Sequence, residues 1–228
     1  MAEHKEITIK NQDFFVEEAI KTLRTNIGFC GENINVISIT STFPHEGKSE
    51  ISTRLAASFA EAGSKTILLD ADNRSSVLAG RLGLTKSTKG LSHILSGKEK
   101  DFNKAITKTD IENFDIIFAG PPAPNPTELL NGPNFEKLIR FLRTRYDYVI
   151  IDCPPLGLVI DAAIISKYCD GAIFVIAQNQ VRKKDAKKAV EQLSMSGVKI
   201  LGTVLNKVKQ KQQMYSHYSH YGEYGKSE

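Results

Sequence analysis

The strongest constraint on the fold of this chain is a set of short apolar runs with no polar face. Ile67-Leu68-Leu69, Val149-Ile150-Ile151 and Ala172-Ile173-Phe174-Val175-Ile176 leave neither side of a strand for water. Such strands need a covering layer on each side, which is the condition of a parallel sheet with helices on both faces. The pattern predicts strands near 36–41, 65–70, 114–118, 147–152, 171–177 and 199–205. Helices are expected at 48–62, about 127–145, 160–169 and 182–196, alternating with them. The fold class is therefore α/β. Ligands of such sheets lie beyond the C-terminal strand ends, near a reversal in strand order. The loops after 36–41, 65–70 and 147–152 should meet there in one crevice.

The first of those loops carries the clearest chemistry. Val36-Ile37-Ser38-Ile39-Thr40-Ser41 runs into Thr42-Phe43-Pro44-His45-Glu46-Gly47-Lys48-Ser49, and Ile51 to Ala62 reads as a helix. Strand, loop and helix in that order make a phosphate-binding P-loop credible, although Thr42 stands where GxxxxGK[ST] has its first glycine. Backbone N–H groups and the helix dipole would face a polyphosphate. Lys48 would reach the β- and γ-phosphates and the Ser49 hydroxyl would ligate Mg2+.

The other two loops are acidic. Leu69 leads into Asp70-Ala71-Asp72-Asn73-Arg74, and Ile151 into Asp152-Cys153-Pro154-Pro155. A carboxylate directly after a buried strand is costly without a cation or a helix N-terminus as partner. Asp152 reads as a Walker B residue holding Mg2+ directly or through water, the alternative being a cap on the next segment. The surplus carboxylates after 65–70 point to proton or metal work near the γ-phosphate. A local turn and ion pair formed by Asp72 and Arg74 is the plainer reading.

The bulk properties bound the rest. A length of 228 residues fits one α/β domain with a short tail, and 41% hydrophobic residues suffice for its core. No apolar run is long enough to span a bilayer, and the charged start lacks a signal region, so a cytoplasmic protein is expected. Cys30, Cys153 and Cys169 are few and scattered, as suits reduced thiols. A net charge of +4 gives no case for nucleic acid.

Together these residues resemble the bacterial tyrosine kinases, P-loop kinases that act on their own C-terminal tyrosines. The likeness is greatest to the Gram-positive type that regulates capsular and exopolysaccharide synthesis. It rests on Ser41-x-x-Pro44-x-Glu46-Gly47-Lys48-Ser49 as Walker A, on the segment from Ile67 to Arg74 as the family's extra Walker A′ motif, and on Val149 to Pro155 as Walker B. Gly120-Pro121-Pro122-Ala123-Pro124-Asn125-Pro126-Thr127-Glu128-Leu129-Leu130 resembles a family loop, and Gly90 to Gly97 a family helix. The resemblance implies a P-loop NTPase-like sheet, with Ser41, Pro44, Glu46, Gly47, Lys48, Ser49 and Arg74 around the phosphates. It makes Asp70 the base for the phenolic proton, counts Asp72, Lys48 and Asp152 with it as catalytic, puts Ser49, Asp70, Asp72 and Asp152 at the metal, and sets Asn206 against the nucleotide base. ATP is preferred to GTP, because a guanine-reading NKxD motif would need Asp where Lys209 stands.

Two departures stand out. The family usually has Gly at position 45 and Ser or Thr at 50, where this chain has His45 and Glu50. A histidine held at positive φ would cost roughly 1–2 kcal/mol, and none of that at negative φ.

Four of the seven tyrosines, Tyr215, Tyr218, Tyr221 and Tyr224, are spaced by three in a polar segment without aliphatic partners. The resemblance implies that they are phosphorylated in trans by a neighbouring subunit. A low-complexity tail and a nucleic-acid stacking tail are the other readings. At the opposite end, Asp13 to Phe29 reads as an amphipathic helix with Phe15, Ala19, Thr22, Leu23 and Ile27 on one side. Glu18, Lys21 and Arg24 fall on one face of it. The family's E-x-x-R-x-x-R pattern there joins subunits into a ring, whereas the bland reading is a solvated stripe. The division expected is thus residues 1–30 for assembly, 31–206 for the kinase domain and 207–228 for the tail. The resemblance further implies recruitment to the inner face of the membrane by a separate transmembrane adaptor of the polysaccharide co-polymerase type, and a cognate tyrosine phosphatase. A ParA- or MinD-like ATPase switch and a catalytically weak nucleotide-binding regulator are the alternatives; Phe43 stands where the switches carry a signature lysine.

Overall fold

The computed structural model describes residues 14–82 and 89–208. Its centre is a seven-stranded sheet in the order β3-β4-β2-β5-β1-β6-β7. These are β1 (Val36–Ser41), β2 (Thr66–Asp70), β3 (Thr107–Lys108), β4 (Phe114–Ile117), β5 (Tyr148–Asp152), β6 (Gly171–Ala177) and β7 (Ile200–Asn206). All neighbours pair in parallel except β3, a two-residue antiparallel edge on β4 that the apolar pattern does not signal. Alternate residues go to opposite covers, as strand geometry dictates. Ile67, Leu69, Val149, Ile151 and Phe174 join one core, while Leu68, Ile150, Ile173 and Val175 join the other.

The helices are α1 (Phe14–Gly28), α2 (Lys48–Glu61), α3 (Leu78–Arg81), α4 (Leu91–Leu95), α5 (Pro126–Asn131), α6 (Pro133–Arg143), α7 (Asp161–Ser166) and α8 (Lys183–Ser194). Residues of α1, α2 and α3 cover one face, and those of α4 to α8 the other. Burying a side chain such as Phe135 or Phe174 contributes roughly 1.5–3 kcal/mol each.

Two expectations are corrected. The single helix at 127–145 is two helices, because Gly132 is extended (φ −74°, ψ 164°) ahead of Pro133. Proline disfavours a helical residue before it and has no N–H to continue the ladder. The buried side of α1 is also rotated from the one expected. Ile20 and Ile27 are buried and Leu23 packs with Ile27 into the second core, whereas Ala19 and Thr22 are exposed.

Starting from β1, the chain passes over β5 to β2, and later returns to β6 and β7 on the other side. The reversal therefore sits beside β1, where the three loops singled out in the sequence emerge. Among the described residues no helix is long and apolar enough to cross a membrane.

Candidate active site at the C-terminal strand ends

The loop from Thr42 to Gly47 is held from within before any ligand meets it. Ser41 Oγ donates to the Phe43 carbonyl at 2.8 Å. Glu46 is buried, and its two carboxylate oxygens accept from the Phe43 N–H at 2.6 Å and from the Ala177 N–H at 3.0 Å. Its side chain thus pins the loop to the end of β6. Asn206, at the end of β7, donates its side-chain amide to the Glu46 carbonyl at 2.8 Å. Ser41, Glu46 and Asn206 therefore brace the loop with their side chains. Pro44, Gly47, Lys48, Ser49, Asp72 and Arg74 line an open cleft of about 390 Å3.

Two residues of the loop are left-handed: Gly47 at φ 95° and His45 at φ 64°. For Gly47 this is free of cost, and a Cβ there would lie 2.0 Å from the Asn206 amide nitrogen. For His45 the cost of roughly 1–2 kcal/mol is incurred. Glu50 is turned to Arg54 at 2.6 Å, so its charge is compensated on the helix surface.

Carboxylates converge beside the loop. Asp70 and Asp152 end adjacent parallel strands and are register partners, both 1% exposed. Burial, and then the Asp152 charge, push the Asp70 carboxyl up to about 7. Opposing this, Ser76 donates a short hydrogen bond to Asp70 Oδ2, and the Asp72 N–H one of 3.3 Å to Oδ1. Burial also raises Asp152, against the Lys48 charge and the Ser49 hydroxyl, with Ser52 Oγ at 3.4 Å. Lys48 Nζ stands 3.5 Å from Asp72 Oδ2. Among the described residues no group of three His, Cys, Asp or Glu closes around a metal by itself. Two carboxylates and a hydroxyl nevertheless form an all-oxygen donor set of the kind Mg2+ takes, with substrate phosphates and water completing its six ligands.

Arg74 has a partner that local sequence does not reveal. Its guanidinium donates to Asp161 Oδ2 at 2.8 Å and Oδ1 at 3.3 Å, and to Thr127 Oγ1 at 2.9 Å. Thr127 in turn donates to Asp161 at 2.7 Å. The plainer reading of Arg74 as one half of an ion pair with Asp72 is thus replaced by a long-range bridge. Asp72 instead accepts the N–H groups of Arg74 (3.3 Å) and Ser75 (3.0 Å), shaping the turn. Ser52, Ser76 and Asp161 escape a sequence reading; the buried member of the bridge is Asp161, while Arg74 is exposed. Both polar atoms of the Asn73 amide are buried without a partner.

On α1, Glu18 and Lys21 pair at 2.7 Å on the surface, while Arg24 donates to Ser58 Oγ at 3.0 Å and to the Ser58 carbonyl. The three predicted charges therefore do not form one stripe. Tyr215, Tyr218, Tyr221 and Tyr224 lie outside the described residues.

Comparison with known proteins places this geometry. Residues 34–216 match the family described as AAA domain. Tyrosine-protein kinase CpsD of Streptococcus pneumoniae serotype 4 is 44% identical over 205 residues, covering 89% of this chain and 90% of that protein. The chain belongs to the bacterial tyrosine-protein kinases. Among solved structures, the kinase domain of Escherichia coli tyrosine kinase ETK superposes with a TM-score of 0.81 at 31% identity, covering 90% of this kinase and 84% of ETK. The chimerical protein CapA2B2 gives 0.80 at 35% identity, with 85% of each chain covered.

Proposed function

We propose that this chain is an ATP- and Mg2+-dependent protein-tyrosine kinase that phosphorylates Tyr215, Tyr218, Tyr221 and Tyr224 of a neighbouring copy. Its activity controls capsular or exopolysaccharide synthesis and export. The observation that carries the reading is the register pair of Asp70 and Asp152, with the Lys48 charge acting on Asp152 and its ammonium 3.5 Å from Asp72. A nucleotide hydrolase needs one such carboxylate at the metal, and the second is available to the phenol.

Lys48 neutralises the β- and γ-phosphates, while the loop N–H groups and the N-terminus of α2 face them. Ser49 and Asp152, with Asp72 in support, would hold Mg2+, which would supply charge neutralisation for the transferred phosphoryl group. Asp70 accepts the phenolic proton; a carboxyl near 7 suits that task at neutral pH, whereas free tyrosine sits at about 10. Arg74, tied to Asp161 and Thr127, fixes the turn that presents Asp70 and Asp72. Asn206 reaches the base as well as the loop.

The kinase acts in the cytoplasm as a homo-oligomer, and Glu18 and Lys21, both at the surface, belong to the contact between copies. A separate membrane adaptor recruits it to the inner face of the membrane. A cognate tyrosine phosphatase resets the tail. Incubation with labelled ATP and Mg2+, with and without the adaptor's cytoplasmic segment, should yield phosphotyrosine that vanishes when the four tyrosines are Phe. Turnover of ATP with no phosphotyrosine in either condition would favour the ParA- or MinD-like switch. In light scattering, Glu18→Ala should lower the mass; an unchanged mass would remove α1 from the interface.

A further inference from the structure

We propose that Lys207 is a positioning residue for nucleotide binding, clamping the P-loop at His45 and tying its shape to the root of the tyrosine-bearing segment. The inference rests on the reading of that loop as the nucleotide site. Lys207 Nζ donates to the His45 carbonyl at 2.6 Å, with Gln180 Oε1 at 3.4 Å. The carbonyl it holds belongs to the one non-glycine residue of the loop in the left-handed region, at φ 64°.

The adjacent residue completes the device. Asn206 donates to the Glu46 carbonyl at 2.8 Å and fills the space that a Cβ on Gly47 would need. Two successive side chains at the end of β7 thus grip the carbonyls of two successive loop residues. Their base is firm, because Asn206 is in register with Ala177 on β6 and its carbonyl accepts the Gln178 N–H at 2.9 Å. Glu46 fastens the same loop to Ala177 from the other side. Lys207 is itself left-handed, at φ 56°, where the chain turns away from the sheet.

For a histidine the left-handed well is the minor one. Released from Lys207, the loop would spend part of its time with His45 at negative φ and the following N–H groups turned off the phosphates. Apparent affinity falls by the fraction of loops that remain competent. With glycine at position 45 both signs of φ are open, so the clamp has little left to hold. Lys207 stands eight residues before Tyr215. The residue that steadies the nucleotide loop therefore also stands close in sequence to the tyrosines.

The test is a double-mutant cycle in the full chain, read by calorimetric affinity for MgADP. Lys207→Met should weaken binding about three- to tenfold in the wild-type background, the range set by the lost competent fraction. In the His45→Gly background the same change should cost less than about twofold, since the strain it opposes is gone. Lys207→Arg, which keeps a charged donor, should recover most of the loss. A purely structural role would lower the melting temperature equally in both backgrounds and leave the affinity ratio unmoved. Wild-type affinity in Lys207→Met, or an equal loss in both backgrounds, overturns the inference while Lys48→Met still abolishes binding. Failure of the wild type to bind MgADP overturns the nucleotide reading, and this inference with it.

Discussion

Replacing Asp70 by Asn should stabilise the metal-free protein in alkaline buffer and leave it unchanged in strong acid. In the unfolded chain Asp70 titrates near 3.8, and in the fold at about 7. Between those values the folded state keeps a proton that the unfolded state has released, so wild-type stability falls as pH rises through the window. Three pH units at about 1.4 kcal/mol each set a ceiling of about 4 kcal/mol, and relaxation of the charged pair reduces it to about 2–3. Asn keeps the shape and still accepts from Ser76; its N–H2 takes the place of the Oδ1 that accepts the Asp72 N–H, and the like charge beside Asp152 is removed. The assay is urea unfolding in EDTA at half-unit steps from pH 4.5 to 8.5. The gain of Asp70→Asn should be about 1 kcal/mol at pH 4.5, where the unfolded chain has begun to release its proton, and reach its full size above pH 7.5. A difference independent of pH, or a variant less stable than wild type at pH 8, would refute the electrostatic account. The same variant should lose at least about 100-fold in phosphotransfer if Asp70 takes the phenolic proton.

Three further substitutions probe the frame around the cleft. Gly47→Ala should abolish nucleotide binding, because the methyl enters the Asn206 amide at a left-handed position; calorimetry checks it, and retained affinity would mean that the loop relaxes freely. Glu46→Gln should cost about 1–3 kcal/mol in urea unfolding, since one of the two N–H groups it accepts would then face an amide N–H2. Asp161→Ala should cost about 1 kcal/mol, since Thr127 loses its acceptor while the exposed Arg74 can turn to water, and should raise the Mg2+ concentration needed for half-maximal activity by loosening the turn that carries Asp72; rescue by Asp161→Glu would separate charge from packing.

The central strands β1, β2, β4, β5 and β6 were legible in the sequence because both of their faces are buried in short apolar runs, whereas the two-residue edge β3 has no such run. The phosphate loop and the acid loops were legible for a related reason: polar residues directly after such runs must sit at the sheet edge. The features that escaped depend on contacts between distant segments. Asp161 belongs to α7, 87 residues from Arg74, and no local pattern links them. Ser76 looks like any loop serine until the chain turns back on Asp70. The burial of Ile20 in place of Ala19 was set by where α2 lies, since the periodicity of α1 alone allows several rotations.

The position of β7 has a consequence for how the kinase can be assayed. Its last residue touches the phosphate loop, so the segment bearing the tyrosines begins at the rim of a catalytic cleft. From Lys207 to Tyr215 the chain can span at most roughly 29 Å, and each further tyrosine adds about 10 Å. A substrate leashed that closely is present at an effective concentration on the order of millimolar to any cleft within its radius. An added tyrosine peptide must outcompete that leash, so free peptides should report poorer turnover than the kinase's own segment.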